Sequence, residues 1–363
     1  MKLSRLKLCQ RLGLLACLCV SGVAYASKNV SPELFPVSSF LYDKHHDVVY
    51  PTIAGSFLVY NEIRHHEFSV VRVPVNQPDM TGKRVDPTML NEALREGVAL
   101  KNGNIGYVSN RVGPISAWMW QNGGEVQVAL ANMALFRGGL IPAHLASSED
   151  GQIWCFDATF QKVRHNELLN AFAKPTHHEV IGQAWRMYDS NFFAYKMGYK
   201  STEKGTHNKF EEPMLFVYDR SNGGLSMIPK AFDAAISPDG KQVVFVRNVD
   251  GNYDLWLQDI DGKGLTQLTT NTYGDFEPAF SPDGTKIAFV SNRDSEGSVR
   301  QTSLYVMDLT TGAIQRITNA PDASDGGVAW KDMHTLVFHS NRDIKHPRTR
   351  TSSDWSLWQV TFE

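Results

Sequence analysis

The sequence predicts an all-β protein, a β-propeller of four-stranded antiparallel blades, with seven blades on the count below and six on the alternative count. Three observations carry this. Ser-Pro-Asp-Gly occurs at Ser237–Gly240 and again at Ser281–Gly284, each time followed by an apolar strand pattern. The surrounding units align in register: Ala235-Ile236-Ser-Pro-Asp-Gly-Lys-Gln-Val-Val-Phe-Val beside Ala279-Phe280-Ser-Pro-Asp-Gly-Thr-Lys-Ile-Ala-Phe-Val. A third unit, Ala329-Trp330, leads after one deleted residue into Val337-Phe338-His339-Ser340-Asn341-Arg342-Asp343, which repeats Phe289-Val290-Ser291-Asn292-Arg293-Asp294. A period in the forties with short strands is the mark of propeller blades. Pro presets φ, Asp bonds its own backbone and Gly accepts positive φ, so each Pro-Asp-Gly is a hairpin between an inner strand and the next one out.

The pair of Ala and a bulky residue before the turn serves as an anchor for the remaining blades. Walking back gives Tyr50, Leu100, His144, Trp185, Ile236, Phe280 and Trp330, at spacings that suit one blade each. An apolar second strand follows every anchor: Phe57–Tyr60, Ile105–Ser109, Ile153–Phe156, Phe192–Tyr195, Val243–Val246, Ile287–Val290 and Leu336–Phe338. The half that lacks Ser-Pro-Asp-Gly is also open to a separate sandwich.

Two stretches interrupt the strand rhythm. Asp86 to Gly97 starts with an N-cap Asp and Pro87 at the first helical position and ends at Gly, which reads as a short helix. Asn166–Ala173, ahead of Pro175, is a second helix candidate, and Lys196–Glu212 reads as a long polar loop.

The chain opens with Lys2, Arg5, Lys7 and Arg11, a short apolar run over Leu12–Val23, and Ala24-Tyr25-Ala26 before Ser27. This is the pattern of a cleaved secretory signal over 1–26, too short to span a membrane, and it places the propeller of 27–363 in the periplasm. A lipoprotein reading through Cys17 competes, but only about four apolar residues precede that cysteine. Cleavage leaves Cys155 as the sole thiol, in the apolar run Ile153-Trp154-Cys155-Phe156, which reads as a buried inert side chain. The net charge of −2 becomes −6 when the four basic residues of the signal are removed. An acidic exported protein is a poor candidate for nucleic acid, and no membrane-spanning segment remains after cleavage.

No Gly-x-Ser-x-Gly, His-Glu-x-x-His, phosphate loop or dinucleotide fingerprint occurs. Within 27–363 no hydrolase domain can be fitted beside the blades. Attention therefore falls on residues just upstream of each anchor, where inner strands begin and line the mouth of a channel. His45 and Asp47, His178 and Glu179, Asp233, Asp275 and Glu277, and Asp325 occupy these places.

Such an acidic mouth has three readings. The carboxylates can cap turns, bind a basic or polar peptide by focused negative potential, or hold a divalent metal together with His45 and His178. Neighbouring side chains of a strand point to opposite faces, so of His45-His46-Asp47 and His177-His178-Glu179 at most one ring each can face the channel. His65-His66-Glu67 falls between second and third strands and reads as a surface loop. The repeated Ser-Asn-Arg elements with Arg111, Arg293 and Arg342 suggest a scaffold contact to a carboxylate, holding a loop to the next blade. Trp118 and Trp120 share a strand face and read as inter-blade core, with a sugar platform as the other possibility.

The Ser-Pro-Asp-Gly and Ser-Asn-Arg-Asp repeats over Phe232–Glu363 resemble the TolB-like propellers of bacterial envelopes. Upstream the likeness is one of rhythm rather than motif. Asp275-Phe276-Glu277-Pro278 and its relatives around Asp233 and Asp325 match the family's pattern at the start of the inner strand. The resemblance implies a propeller that binds an envelope protein or peptide at its channel mouth. It does not imply membership of the Tol machine, because only Ser27 to about Tyr42 precedes the first blade and the family's N-terminal α/β domain has no counterpart. The leading expectation is thus a monomeric, non-enzymatic scaffold with no certain cofactor. The alternative is a metal-dependent lyase similar to the oligogalacturonate lyases, whose propellers hold a divalent ion with channel histidines. Ser38–Tyr42 is expected to close the ring as the outer strand of the last blade, beside Leu357–Phe362.

Overall fold

The computed structural model describes residues 31–35, 46–64, 67–79, 82–85, 94–109, 116–121, 124–128, 143–158, 213–298, 301–319, 321–342 and 355–363. These form six four-stranded antiparallel sheets. Blade 1 is β2 (His46–Ala54), β3 (Phe57–Arg64), β4 (Glu67–Pro74) and β5 (Lys83–Val85); blade 2 is β6 (Leu94–Ala99), β7 (Ile105–Ser109), β8 (Ser116–Gln121) and β9 (Gly124–Gln127). Blade 3 is β10 (Ala143–Ser147), β11 (Ile153–Ala158), β12 (Met214–Asp219) and β13 (Gly224–Pro229); blade 4 is β14 (Ala231–Ile236), β15 (Gln242–Val249), β16 (Asn252–Asp259) and β17 (Thr266–Gln267). Blade 5 is β18 (Asp275–Phe280), β19 (Lys286–Ser291), β20 (Ser303–Asp308) and β21 (Ile314–Arg316). Blade 6 takes β22 (Asp325–Asp332), β23 (Thr335–Ser340) and β24 (Ser356–Thr361) from the C-terminal end and β1 (Glu33–Leu34) from the N-terminal end.

The first strands touch in a closed ring, β2 to β6, β10, β14, β18, β22 and back to β2, so they surround the central channel. Closure is covalently economical. Glu33 pairs with Gln359 and Leu34 with Trp358, and the Phe35 N–H donates to the Leu357 carbonyl at 2.9 Å. The N-terminal segment therefore does supply the outer strand of the last blade, but with Glu33–Leu34; Ser38–Tyr42 lies outside the described residues.

Six blades replace the seven of the leading count. β10 and β14 are in direct contact, which leaves no room for a blade between them. The anchor Trp185, the strand Phe192–Tyr195 and the helix candidate Asn166–Ala173 all fall in 159–212, outside the described residues. That stretch joins β11 to β12, which pair directly over Ile153–Ala158 and Met214–Asp219. The helix expected to end at Gly97 is overridden at its C-terminal part, where Leu94–Ala99 is the inner strand of blade 2, with Leu94 fully buried. Burial in an inter-blade layer outweighs local capping signals there.

The core lies between blades rather than at one centre. A large cluster runs through blades 4 to 6 and includes Phe232, Leu255, Phe289, Tyr305, Phe338 and Trp358. Smaller clusters join the other blades, among them one with Ala54, Leu94, Tyr107 and Trp118, against which Trp120 packs. The tryptophan pair is thus inter-blade core. Cys155 is a buried free thiol in the layer between blades 3 and 4, and burial pushes its ionisation far up, as an inert side chain requires. Trp154, fully buried, donates Nε1–H to the Gly151 carbonyl at 2.8 Å and lies where a Cβ on Gly106 would stand 2.8 Å from its ring.

Both Ser-Pro-Asp-Gly turns close as expected. Ser237 Oγ donates to Asp239 and Ser281 Oγ to Asp283, each at 2.7 Å, and Gly240 and Gly284 take φ of 70° and 74°. Blade 3 repeats the device with Ser148-Glu149-Asp150-Gly151, in which Ser148 Oγ bonds Asp150 at 2.6 Å and Gly151 has φ 69°. These turns mark the lower face. The connections from second to third strands lie on the upper face, where the first strands begin.

Candidate binding site at the channel

Each inner strand carries a bulge, and in each bulge one residue adopts positive φ: Tyr50, Glu96, His144, Asp233, Glu277 and Gly327, all between 50° and 56°. The bulge slips the register by one and turns a backbone N–H toward the preceding blade. That N–H needs an acceptor, since a buried orphan donor costs about 1–3 kcal/mol.

The acceptor comes from the preceding blade in one of two ways. Asp233 Oδ2 accepts the Glu277 N–H at 2.8 Å, and Glu277 Oε2 accepts the Gly327 N–H at 2.5 Å. In those donor blades the second-strand residue beside the bulge is apolar, Val246 and Val290. Where the bulge residue itself is not acidic, the second-strand position turns polar. Asn61 Oδ1 accepts the Gly97 N–H at 3.2 Å, Asp157 Oδ2 accepts the Asp233 N–H at 2.7 Å, and His339 Nδ1 accepts the Tyr50 N–H at 3.2 Å. Blade 2 follows the first pattern in sequence, with Glu96 at the bulge and Val108 beside it. The ring of acidic residues is thus in large part a ring of ties from blade to blade.

Asp275 and Asp325 lie deeper. Both are fully buried and expose nothing to the channel, contrary to the expectation that they line its mouth. Arg293 Nη2 donates to Asp275 at 2.7 Å, and Arg342 Nη2 donates to both oxygens of Asp325, the longer contact at 2.5 Å. Each arginine also donates Nε–H to its own motif serine, Ser291 or Ser340, at 3.0 Å. Their guanidinium planes sit over Phe289 and Tyr305, and over Phe338 and Trp358. The motif asparagines accept from the connectors leading into the same blades, Asn292 from Gly274 N–H and Asn341 from Ser324 N–H. Ser-Asn-Arg is therefore a scaffold lock to a carboxylate, made within its own blade instead of to the next one. At the matching place in blade 2, Ser109 pairs with Leu94, so that blade has no carboxylate there; Asn110 and Arg111 lie outside the described residues.

Asp254 neighbours this lock. Burial, together with the Asp275 charge, raises its carboxyl from 3.8 to about 6, against the lowering effect of bonds from Thr269, Gln267 and Asn252.

Of the other expected residues, Asp47 accepts the Trp355 N–H at 2.8 Å and joins blade 1 to the segment before β24. His45, His178 and Glu179 lie outside the described residues, as does the His65-His66 pair, in the connection between β3 and β4. Asn61, Asp157, His144 and His339 were missed as channel residues. Their signal was present: Asp157 and His339 are polar residues standing where the aligned units have Val246 and Val290.

The metal reading through His45 and His178 falls outside the described residues. Among them no group of three or more His, Cys, Asp or Glu is placed to ligate a metal. His339 accepts through Nδ1, so its Nε2 carries the proton. His144 Nδ1 is hydrogen-bonded to Asp157 at 2.5 Å, so this ring is committed to a contact within blade 3.

Comparison with known proteins agrees with this architecture. Residues 225–343 match the TolB beta propeller domain, so blades 4 to 6 carry TolB-type repeats. The fold is similar to that of a putative TolB from Agrobacterium tumefaciens, with 15% identity, TM-score 0.50 and coverage of 87% of this chain and 90% of that one. It is also similar to an oligogalacturonate lyase in complex with manganese, with 12% identity, TM-score 0.50 and coverage of 94% and 99%. An acylaminoacyl peptidase from Pyrococcus horikoshii matches at 10% identity and TM-score 0.50 over 91% of this chain and 47% of its own. No curated protein sequence matches. At these identities the likeness is one of fold, and it spans a putative TolB, a lyase and a peptidase alike.

Proposed function

We propose that this chain is a periplasmic TolB-like propeller that binds a protein or peptide of the cell envelope over its upper face, as a monomer and without catalysis. Residues 1–26 act in this reading as the cleaved export signal and 27–363 as the propeller. One observation carries the binding face. Asp157, Asp233 and Glu277 form an arc of carboxylates over three successive blades around the channel, linked through the bulge N–H groups. Fixed negative charge in a narrow mouth attracts Lys or Arg of an incoming segment. Asp233 and Glu277 serve the fold and the field at once, as their bonds to the bulge N–H groups hold them oriented. No helix among the described residues is long and apolar enough to cross a membrane.

The test is site-specific photocrosslinking in the exported protein. Asp250 is exposed in the turn between β15 and β16 on the upper face, and Asp261 is exposed after β16 on the lower face. A crosslinker at Asp250 should yield a defined protein adduct that a crosslinker at Asp261 does not. Equal adducts from both, or adducts from Asp261 alone, would refute an upper-face binding site.

A further inference from the structure

Of the five described ties, four use an oxygen acceptor: Asn61, Asp157, Asp233 and Glu277. The tie that joins blade 6 to blade 1 uses an imidazole, His339 Nδ1. This is the seam at which the ring closes, where the last blade depends on the two-residue strand Glu33–Leu34. An oxygen of Asp, Glu or Asn remains an acceptor through the mildly acid range. An imidazole accepts only while neutral, and once protonated it presents N–H at both nitrogens.

We infer that His339 makes ring closure sensitive to acid: proton uptake turns Nδ1 into a donor facing the Tyr50 N–H, and the seam between blades 6 and 1 loosens while the other seams hold.

The surroundings give the ring no other posture in which to keep this bond. His339 is buried, and its ring meets Tyr50 edge-on at 4.8 Å and Trp355 at 4.9 Å between centroids. Gly326 and Gly327 lack the Cβ atoms that would collide with the imidazole; one on Gly327 would stand 2.4 Å from Nδ1. Among the described residues, the charged and titratable groups on the elements packed about it are Glu277 from β18, Tyr50 and Asp47 from β2, and the Asp325–Arg342 pair of its own blade. Glu277 Oε2 and His339 Nε2 both lie within 3 Å of the point where a Cβ on Gly326 would sit. That carboxylate lies on the Nε2 side of the ring and already accepts the Gly327 N–H. Trp355 transmits the change, because its N–H donates to Asp47 and its carbonyl accepts the Val48 N–H at 2.9 Å.

Amide hydrogen exchange of the whole mature chain, read by mass spectrometry and corrected for intrinsic rates, tests this. Between pH 7.5 and 5, protection in peptides over 46–54 and 355–363 should fall, by up to about tenfold per pH unit for a single proton. Protection over β18 and β19 should not. His339→Asn, which places an amide oxygen at this seam as Asn61 does at the next, should remove the pH dependence of the seam peptides. Should that variant fail to fold, the wild-type comparison of the two seams decides alone. Equal loss at both seams, or an unaltered seam at pH 5, would overturn the inference.

Discussion

Blades 4 to 6 and blades 1 to 3 form one ring by different means. The former share a single continuous apolar cluster, and two of them carry an aspartate fully buried against an arginine. The latter are joined by small pairwise clusters; among their described residues Arg84 does pair with the buried Glu62, but no Ser-Asn-Arg lock holds the start of a first strand. Buried Arg–carboxylate pairs are costly to break and modest in net gain, so their use in adjacent blades indicates positioning rather than stability alone. The asparagines of the same motifs hold the connector ahead of each first strand, Asn292 through the Gly274 N–H and Asn341 through the Ser324 N–H. The difference teaches that the sequence repeats which identify the fold are scaffold contacts. Ser-Pro-Asp-Gly is a hairpin and Ser-Asn-Arg is a lock; neither touches the channel.

The largest effect is expected where the two halves meet. Removing 27–35 deletes β1 and Phe35, which is almost fully buried. Loss of a buried Phe alone costs about 3–5 kcal/mol, so calorimetry should show Tm falling by roughly 10 °C. An unchanged transition would mean that the ring does not close through this strand.

Next comes Arg342→Ala. It strands the Asp325 carboxylate in the interior, at a cost of about 3–5 kcal/mol in denaturant unfolding, and Arg293→Ala should behave alike. Ser109→Ala in blade 2, at the place of the motif serines Ser291 and Ser340 but opposite Leu94 in place of a carboxylate, should cost under about 1 kcal/mol. Similar costs at all three sites would erase the contrast between the halves.

A smaller, pH-dependent effect belongs to Asp254. Its carboxyl is raised in the folded state, so the stability from its protonation is full below 3.8 and is lost as pH rises through about 6. Asp254→Asn should therefore gain on the wild type as pH goes from 4 to 7.5, by about 1–3 kcal/mol, read as the difference in Tm at each pH. A constant difference would show that Asp254 is ionised throughout. Acid should thus tighten the boundary of blades 4 and 5 and loosen that of blades 6 and 1.

Much of this fold was legible because the turn chemistry and apolar second strands repeat. Three of the six second strands begin at the residue where the sequence places them and the other three one residue earlier, once Phe192–Tyr195 is set aside. The Ala-bulky anchor failed outside its own repeats. Tyr50 and His144 turned out to be the left-handed bulge residues, three positions before the true equivalents of Ile236, namely Ile53 and Ser147. The error is physical: a bulge inserts a residue, and spacing alone cannot show on which side of it an anchor stands. The site was legible as an acidic ring but not as a network. Asp233 and Glu277 were found by position, whereas Asn61, Asp157 and His339 act from the neighbouring strand, and their roles appear only when two strands are read across the sheet.

That complementarity between the bulge residue and its second-strand neighbour is the centre of the account, and a swap in blade 3 tests it most directly. Asp157→Val alone removes the acceptor for the Asp233 N–H and should cost about 1–3 kcal/mol. Adding His144→Glu gives blade 3 the Glu-and-Val pattern of blade 5, and unfolding in denaturant should then show most of the loss restored. A double variant as unstable as Asp157→Val, or less stable still, would contradict the account.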